Sequence, residues 1–249
     1  MLRENIASLP QTASSSFEMM PLSTAQISCT TRNTAVAALF DVDNTLLPGQ
    51  ASEVRFFRFL WSRRLVGWRE LRRSAGWLFR QTPPFSLHPL RERKLYLEGK
   101  AVAQIESLAK EFCSVEIVPY LSSQALSRMD EHRRAGHQVV LVTGSLDFLM
   151  APLASMLDVS TVLAAKPEQR QEHFTGRISP PLPYGPGKRE LITRWMEASH
   201  IDLAQSYAYG DSPGDVELLA MVRYPQVINP IRGMAAIARR NGWPITVWK

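Results

Sequence analysis

The chain has 249 residues, is 45% hydrophobic and carries a formal net charge of +6, which suits one substantial domain with an insertion or a cap and favours an anionic substrate or surface. Two cysteines, Cys29 and Cys113, exclude a disulfide framework and leave a reducing compartment, the cytoplasm, as the expectation. No run approaches the roughly eighteen apolar residues that span a bilayer, so no transmembrane helix is expected.

Residues 1–34, with Ala13-Ser14-Ser15-Ser16 and Ser28-Cys29-Thr30-Thr31, are polar and aperiodic and read as a disordered leader without the apolar core of a signal peptide. The stretch Ala37-Ala38-Leu39-Phe40-Asp41-Val42-Asp43-Asn44-Thr45-Leu46-Leu47 is apolar, without alternation, up to two acids one residue apart. Such a run reads as a strand buried on both faces, the mark of a parallel sheet. Ligands of parallel sheets gather at the carboxyl ends of the strands, where Asp41 and Asp43 fall. In an extended chain both acids start on the same side, and their repulsion calls for a divalent cation, a shared proton or a basic side chain. On these residues alone, Asp-x-Asp-Asn-Thr is equally a polar turn.

From Ala51 to about Gly136 the pattern is helical: Ser52 to Trp61, Trp68 to Phe79, roughly Leu90 to Phe112, and Tyr120 to Arg134, with a break at Gln81-Thr82-Pro83-Pro84. Between Glu53 and Lys100 twelve Lys or Arg stand against four Asp or Glu. Most of these arginines read as solvated helix faces, while a few would line the mouth of a site for an anion. Arg55, Arg58, Arg63 and Arg64 alternate with Phe56, Phe57, Phe59 and Trp61, a mixture that also suits anionic lipid or nucleic acid; both are held as minor readings.

Val139-Val140-Leu141-Val142 is a second buried strand, ending in Thr143-Gly144-Ser145 before a helix from Leu146 to Leu157. A hydroxyl and a glycine at a strand-to-helix junction make an anion site, or Ser145 is simply the N-cap and Gly144 the turn. Thr161 to Ala164 is a short strand, and Phe174 to Ile178 one arm of a hairpin. The proline-rich loop 179–187 then delivers Lys188 to the start of a helix reaching Ala198, where a cation opposes the helix dipole. A broken local rule marks a functional position. After Tyr207-Ala208-Tyr209 comes Gly210-Asp211-Ser212-Pro213-Gly214-Asp215: Ser212 reads as an N-cap and Asp215 as a first-turn acid, while Asp211 has no structural explanation. Gln226 to Pro230 gives a strand with an Asn cap, then a helix to Arg240 and a final strand, Ile245 to Trp248.

Asp41-x-Asp43-x-Thr45, Thr143-Gly144-Ser145, Lys188 after Gly-x-Gly, and Gly210-Asp211-x-x-x-Asp215, in that order, resemble the four motifs of the haloacid dehalogenase-like (HAD) hydrolases, subfamily IB, the phosphoserine phosphatase-like branch. The resemblance runs from about Ala35 onward. It implies an α/β fold, a Rossmann-like doubly wound parallel sheet, with the core at 35–50 and 137–249 and a small helical cap at 51–136 inserted after the first strand. It implies Asp41 as the nucleophile that forms an aspartyl-phosphate, and Asp43 as the acid and base. Thr143, Gly144, Lys188 and backbone N–H groups near Val42 are implied phosphate contacts. Asp41, the backbone carbonyl of Asp43, and Asp211 are implied ligands of magnesium, with Asp215 supporting.

Two departures bear on substrate. Phosphoserine phosphatases usually carry glutamate nine residues after the nucleophile, where this chain has Gln50, and asparagine before the last motif acid, where it has Gly214. A neutral Gln50 loses the charge pair with a substrate ammonium. The expectation is therefore a magnesium-dependent hydrolase of a small phosphomonoester other than phosphoserine, with histidinol phosphate and phosphocholine-like or sugar phosphates open. A phosphotransferase, a membrane-associated lipid phosphatase and a non-catalytic binding protein are the competing readings.

Overall fold

An apolar run without alternation is stable only where both of its faces are covered. In this computed structural model, which describes residues 35–80 and 89–249, β1 (Ala37–Phe40) is buried at every position. Ala38 and Phe40 enter one hydrophobic core, Ala37 and Leu39 another on the opposite side. The leader 1–34 and the break at Gln81 to Pro84 lie outside the described residues.

After β1 come α1 (Ser52–Ser62), α2 (Trp68–Arg80), α3 (Pro89–Glu92), α4 (Val102–Phe112) and α5 (Ser123–Arg134). The chain then runs through β2 (Gln138–Leu146), α6 (Asp147–Met156), β3 (Thr161–Arg170), β4 (His173–Ser179), α7 (Pro186–Ser199), β5 (Tyr207–Gly210), α8 (Val216–Ala220), β6 (Tyr224–Ile228), α9 (Met234–Asn241) and β7 (Ile245–Thr246). The strands form one sheet in the order β4-β3-β2-β1-β5-β6-β7, parallel throughout except for the antiparallel β3–β4 edge. This is the Rossmann-like doubly wound sheet expected from the sequence. One face carries Ala125 and Met129 of α5 and Leu149 and Leu153 of α6; the other carries Ile192, Leu218, Leu219 and Met234 from α7, α8 and α9.

The connections leave β1 in both directions, toward β2 and toward β5, so a crevice opens at its carboxyl end. Register fixes what faces that crevice. Phe40 stands beside Leu141 on β2 and Tyr209 on β5, which brings Asp41 next to Val142 and Gly210.

The segment 51–136 divides by what it packs on. His132 of α5 sits with its Nε2 2.7 Å from the Tyr209 hydroxyl of β5, so α5 rests on the sheet. α1 is joined to α4 and α6 through Phe56, whose ring lies 5.0 Å from Phe112 and 5.8 Å from Phe148.

Three local expectations are corrected. The helix expected from Leu90 to Phe112 is interrupted, because Lys94, Gly99, Lys100 and Val102 exchange backbone hydrogen bonds with residues 172–176 and cover the free edge of β4. The helix after β6 starts at Met234, not beside Asn229; Asn229 is occupied elsewhere. The strand containing Val139 to Val142 runs on to Leu146, with a register shift after Val142 that places Thr143-Gly144-Ser145 on an irregular stretch.

Phe56 is fully buried where three helices meet. Phe56→Ala is expected to destabilise the fold by about 3–5 kcal/mol, measured by urea denaturation.

Candidate active site

Asp41 follows β1 directly, and its N–H donates to the Tyr209 carbonyl at 2.9 Å, so the residue is held in line with β5. Its carboxylate Oδ1 accepts from Lys188 Nζ at 2.6 Å. The same ammonium donates to Val142 O at 3.1 Å and to Asp215 Oδ1. Lys188 reaches this position because Gly187 lets the proline-rich loop lie against the start of α7: a Cβ there would come within 1.7 Å of the Leu182 carbonyl oxygen.

Asp215 has two duties. Its Oδ1 takes Lys188, while Oδ2 accepts from Ser212 N at 3.0 Å and Ser212 Oγ at 2.9 Å, closing the capping box of the turn that leads into α8. Asp211 Oδ2 accepts from the Asn44 amide at 2.9 Å. Asp41, Asp211 and Asp215 offer carboxylate oxygens all within 4.8 Å of one another, and all three residues are buried.

One ammonium among three buried carboxylates leaves the site short of positive charge. Burial raises the Asp41 carboxyl well above the usual range, against the pull of Lys188. Burial, with Asp215 nearby, pushes Asp211 up to about 7 although the Asn44 amide favours its charged form. Asp215 is buried too, but Lys188 and Ser212 outweigh that cost and hold it below the ordinary value. Lys188 is raised, since Asp215 and Asp41 outweigh its own burial. A buried, all-oxygen donor set with excess negative charge fits a hard divalent cation.

Asp43 stands apart from this cluster. Its Oδ1 accepts from the Ser52 N–H at 2.7 Å and its Oδ2 from Ser145 Oγ at 3.2 Å, and the Ser52 and Ser145 hydroxyls are themselves hydrogen-bonded. The acid is thus gripped between the first residue of α1 and the second motif. Ser145 therefore does not cap α6; Leu146 occupies that position without a side-chain bond. Thr143 is buried and its Oγ1 accepts from Ser145 N at 3.1 Å, while Gly144 is exposed. Thr45 is buried, with its hydroxyl oxygen left unpaired.

Gln50 is not drawn into the cluster: it is exposed, and its amide oxygen accepts from Arg58 at 3.2 Å. Gly214 is required by its neighbour, because a Cβ there would lie 2.4 Å from the Tyr184 ring. Arg91 lies over the same ring at 3.3 Å from its centroid.

Sequence reasoning passed over Asn44, Ser52 and Asn229. Asn44 sits at φ 59°, a conformation Asn tolerates, with its amide donating to Asp211 and to the Asn229 carbonyl. Asn229 returns a bond from its own amide to the Asn44 carbonyl at 2.8 Å. The Asn between the motif acids and Thr45 was the available signal; the partner in the loop after β6 was not visible.

The sequence pattern of the haloacid dehalogenase-like hydrolases matches residues 38–220. The chain is 31% identical over 219 residues to a phosphoserine phosphatase of Mycobacterium tuberculosis, covering 84% of this chain and 70% of that protein. It is 25% identical to a histidinol-phosphatase of Neisseria meningitidis, covering 85% of this chain and 98% of the other. A solved structure from Bordetella pertussis, described as of unknown function, superposes with a TM-score of 0.74 at 31% identity, covering 85% of this chain and 98% of that one. The chain belongs to the haloacid dehalogenase-like hydrolases and is a phosphatase of the phosphoserine phosphatase-like kind.

The carboxyl of Asp211, raised to about 7, sets a sign for stability. A carboxyl raised on folding favours the folded state at low pH, and that advantage is lost as pH rises from the unfolded value through the folded one. In protein stripped of divalent cations, Asp211→Asn is expected to raise the melting temperature at pH 8 more than at pH 5, read by thermal denaturation at both pH values.

Proposed function

We propose that this phosphatase hydrolyses a small phosphomonoester through an aspartyl-phosphate on Asp41, with magnesium as cofactor. The observation that carries the reading is the Asp41 carboxylate at the end of the central strand, oriented by Lys188 and flanked by Asp211 and Asp215. Asp43, outside that cluster and held by Ser52 and Ser145, is available for separate proton work.

In the first step an Asp41 carboxylate oxygen attacks phosphorus, the bond from phosphorus to the ester oxygen breaks, and Asp43 gives its proton to the departing alkoxide. In the second, water attacks phosphorus, Asp43 takes the water's proton, and the Asp41 carboxylate leaves as inorganic phosphate forms. Lys188 offsets charge on Asp41 and on the phosphoryl oxygens, with Thr143 and the Gly144 backbone as further phosphate contacts. Magnesium would be held by Asp41, Asp211 and the Asp43 carbonyl with Asp215 in support, and supplies charge neutralisation between carboxylate and phosphate.

A substrate other than phosphoserine is supported by Gln50, whose neutral amide is bound to Arg58, and by the Tyr184 ring filling the space beside Gly214. Histidinol phosphate remains within the class. The substrate is taken to be a metabolite met in the cytoplasm.

The test is phosphate release from a panel of phosphomonoesters with magnesium. Release is expected from the native chain and is lost on chelation and in Asp41→Asn. Asp43→Asn is expected to lower the rate by about 10²–10⁴-fold without unfolding the chain. Silence of folded native protein across the panel would overturn the reading.

A further inference from the structure

α2 is strongly amphipathic, yet none of its residues is buried. At helical spacing Trp68, Leu71, Ala75 and Phe79 share one face. Much of that face is open to solvent: Trp68 is 69% exposed although its ring packs edge-to-face with Trp61 at 5.3 Å, Leu71 is 41% exposed and Phe79 78%. The opposite side holds the helix to the molecule. Arg73 pairs with Glu98 at 2.8 Å and the Trp77 ring lies 5.5 Å from the Arg93 guanidinium, while Glu70 closes the helix start by accepting from the Gly67 N–H at 2.9 Å. The helix is therefore laid with its apolar stripe outward, the reverse of a helix packed on a core.

Arg69, Arg72 and Arg80 are exposed beside the stripe and make no ion pair among the described residues. An apolar stripe with aromatic side chains at both ends and a guanidinium margin matches the boundary of an anionic bilayer, where rings enter among the headgroups and arginines meet lipid phosphates. A second copy is a poorer occupant, because two-fold pairing of the same stripe sets the arginine margins of the two copies close together.

We propose that α2 is a peripheral docking helix that seats this side of the protein on an anionic lipid surface. The inference rests on the helix alone and is independent of the phosphatase chemistry. Each arginine near such a surface strengthens partitioning about fivefold, and the effect fades as salt shortens the Debye length.

The experiment is co-sedimentation of the full chain with phosphatidylcholine vesicles, with and without phosphatidylglycerol. Binding is expected only to the anionic vesicles, with a blue shift of tryptophan emission that is reduced in Trp68→Phe. The double variant Arg69→Glu, Arg72→Glu is expected to bind at least about tenfold more weakly, and Leu71→Glu to lose binding. Because α2 buries no residue, both variants should keep the native melting curve by circular dichroism. Failure of the native chain to sediment with anionic vesicles would overturn the proposal. So would undiminished binding by folded variants, or a dimer that Leu71→Glu dissociates without any vesicle binding. If a variant unfolds, vesicle binding and the emission shift of the native chain still decide.

Discussion

The ammonium of Lys188 is the point on which the arrangement depends. A lysine has three N–H donors, and here they go to Asp41, Asp215 and the Val142 carbonyl. The end of β1, the middle of β2 just before its register shift, and the turn after β5 are thereby tied to the first turn of α7. Buried ion pairs are a poor way to gain stability, because desolvation offsets most of their attraction. Three carboxylates around one cation are poorer still. The cluster makes sense as a site that trades stability for an unsatisfied demand for positive charge, which a bound cation would meet.

The acid set apart from that cluster has a different kind of support. Asp43 is bound by the N–H of Ser52, where α1 begins, and by Ser145. Its orientation is thus shared between the sheet and the helical segment inserted after β1. Any displacement of α1 relative to the sheet would remove one of the two bonds, so the position of the insertion and the posture of the acid are mechanically coupled.

What the sequence made legible was set by local rules. β1 could be read because Ala37 to Phe40 have no polar side chain to place on either face, and its core position follows from that. Lys188 stood out because it violates the helix dipole, and Asp211 because no cap explains it. What stayed hidden depends on partners far away in the chain. Residues 93–101 have helical composition but take their conformation from backbone pairing with β4. Asn229 looks like a cap and instead serves Asn44, 185 residues away. Ser145 reaches Asp43 across 102 residues. No window of sequence contains both ends of such bonds.

The mutual amide bonds of Asn44 and Asn229 are extended by one more, since the Trp248 N–H donates to the Asn229 side-chain oxygen at 2.8 Å. The turn after the first strand is therefore clasped by segments that leave the ribosome long after it. Asp41 and Asp43 are made well before the lysine, the fourth-motif acids and the asparagine that hold their surroundings. A chain synthesised only as far as that turn carries these two carboxylates without the side chains that hold them, so their surroundings are completed late and in one assembly, not strand by strand.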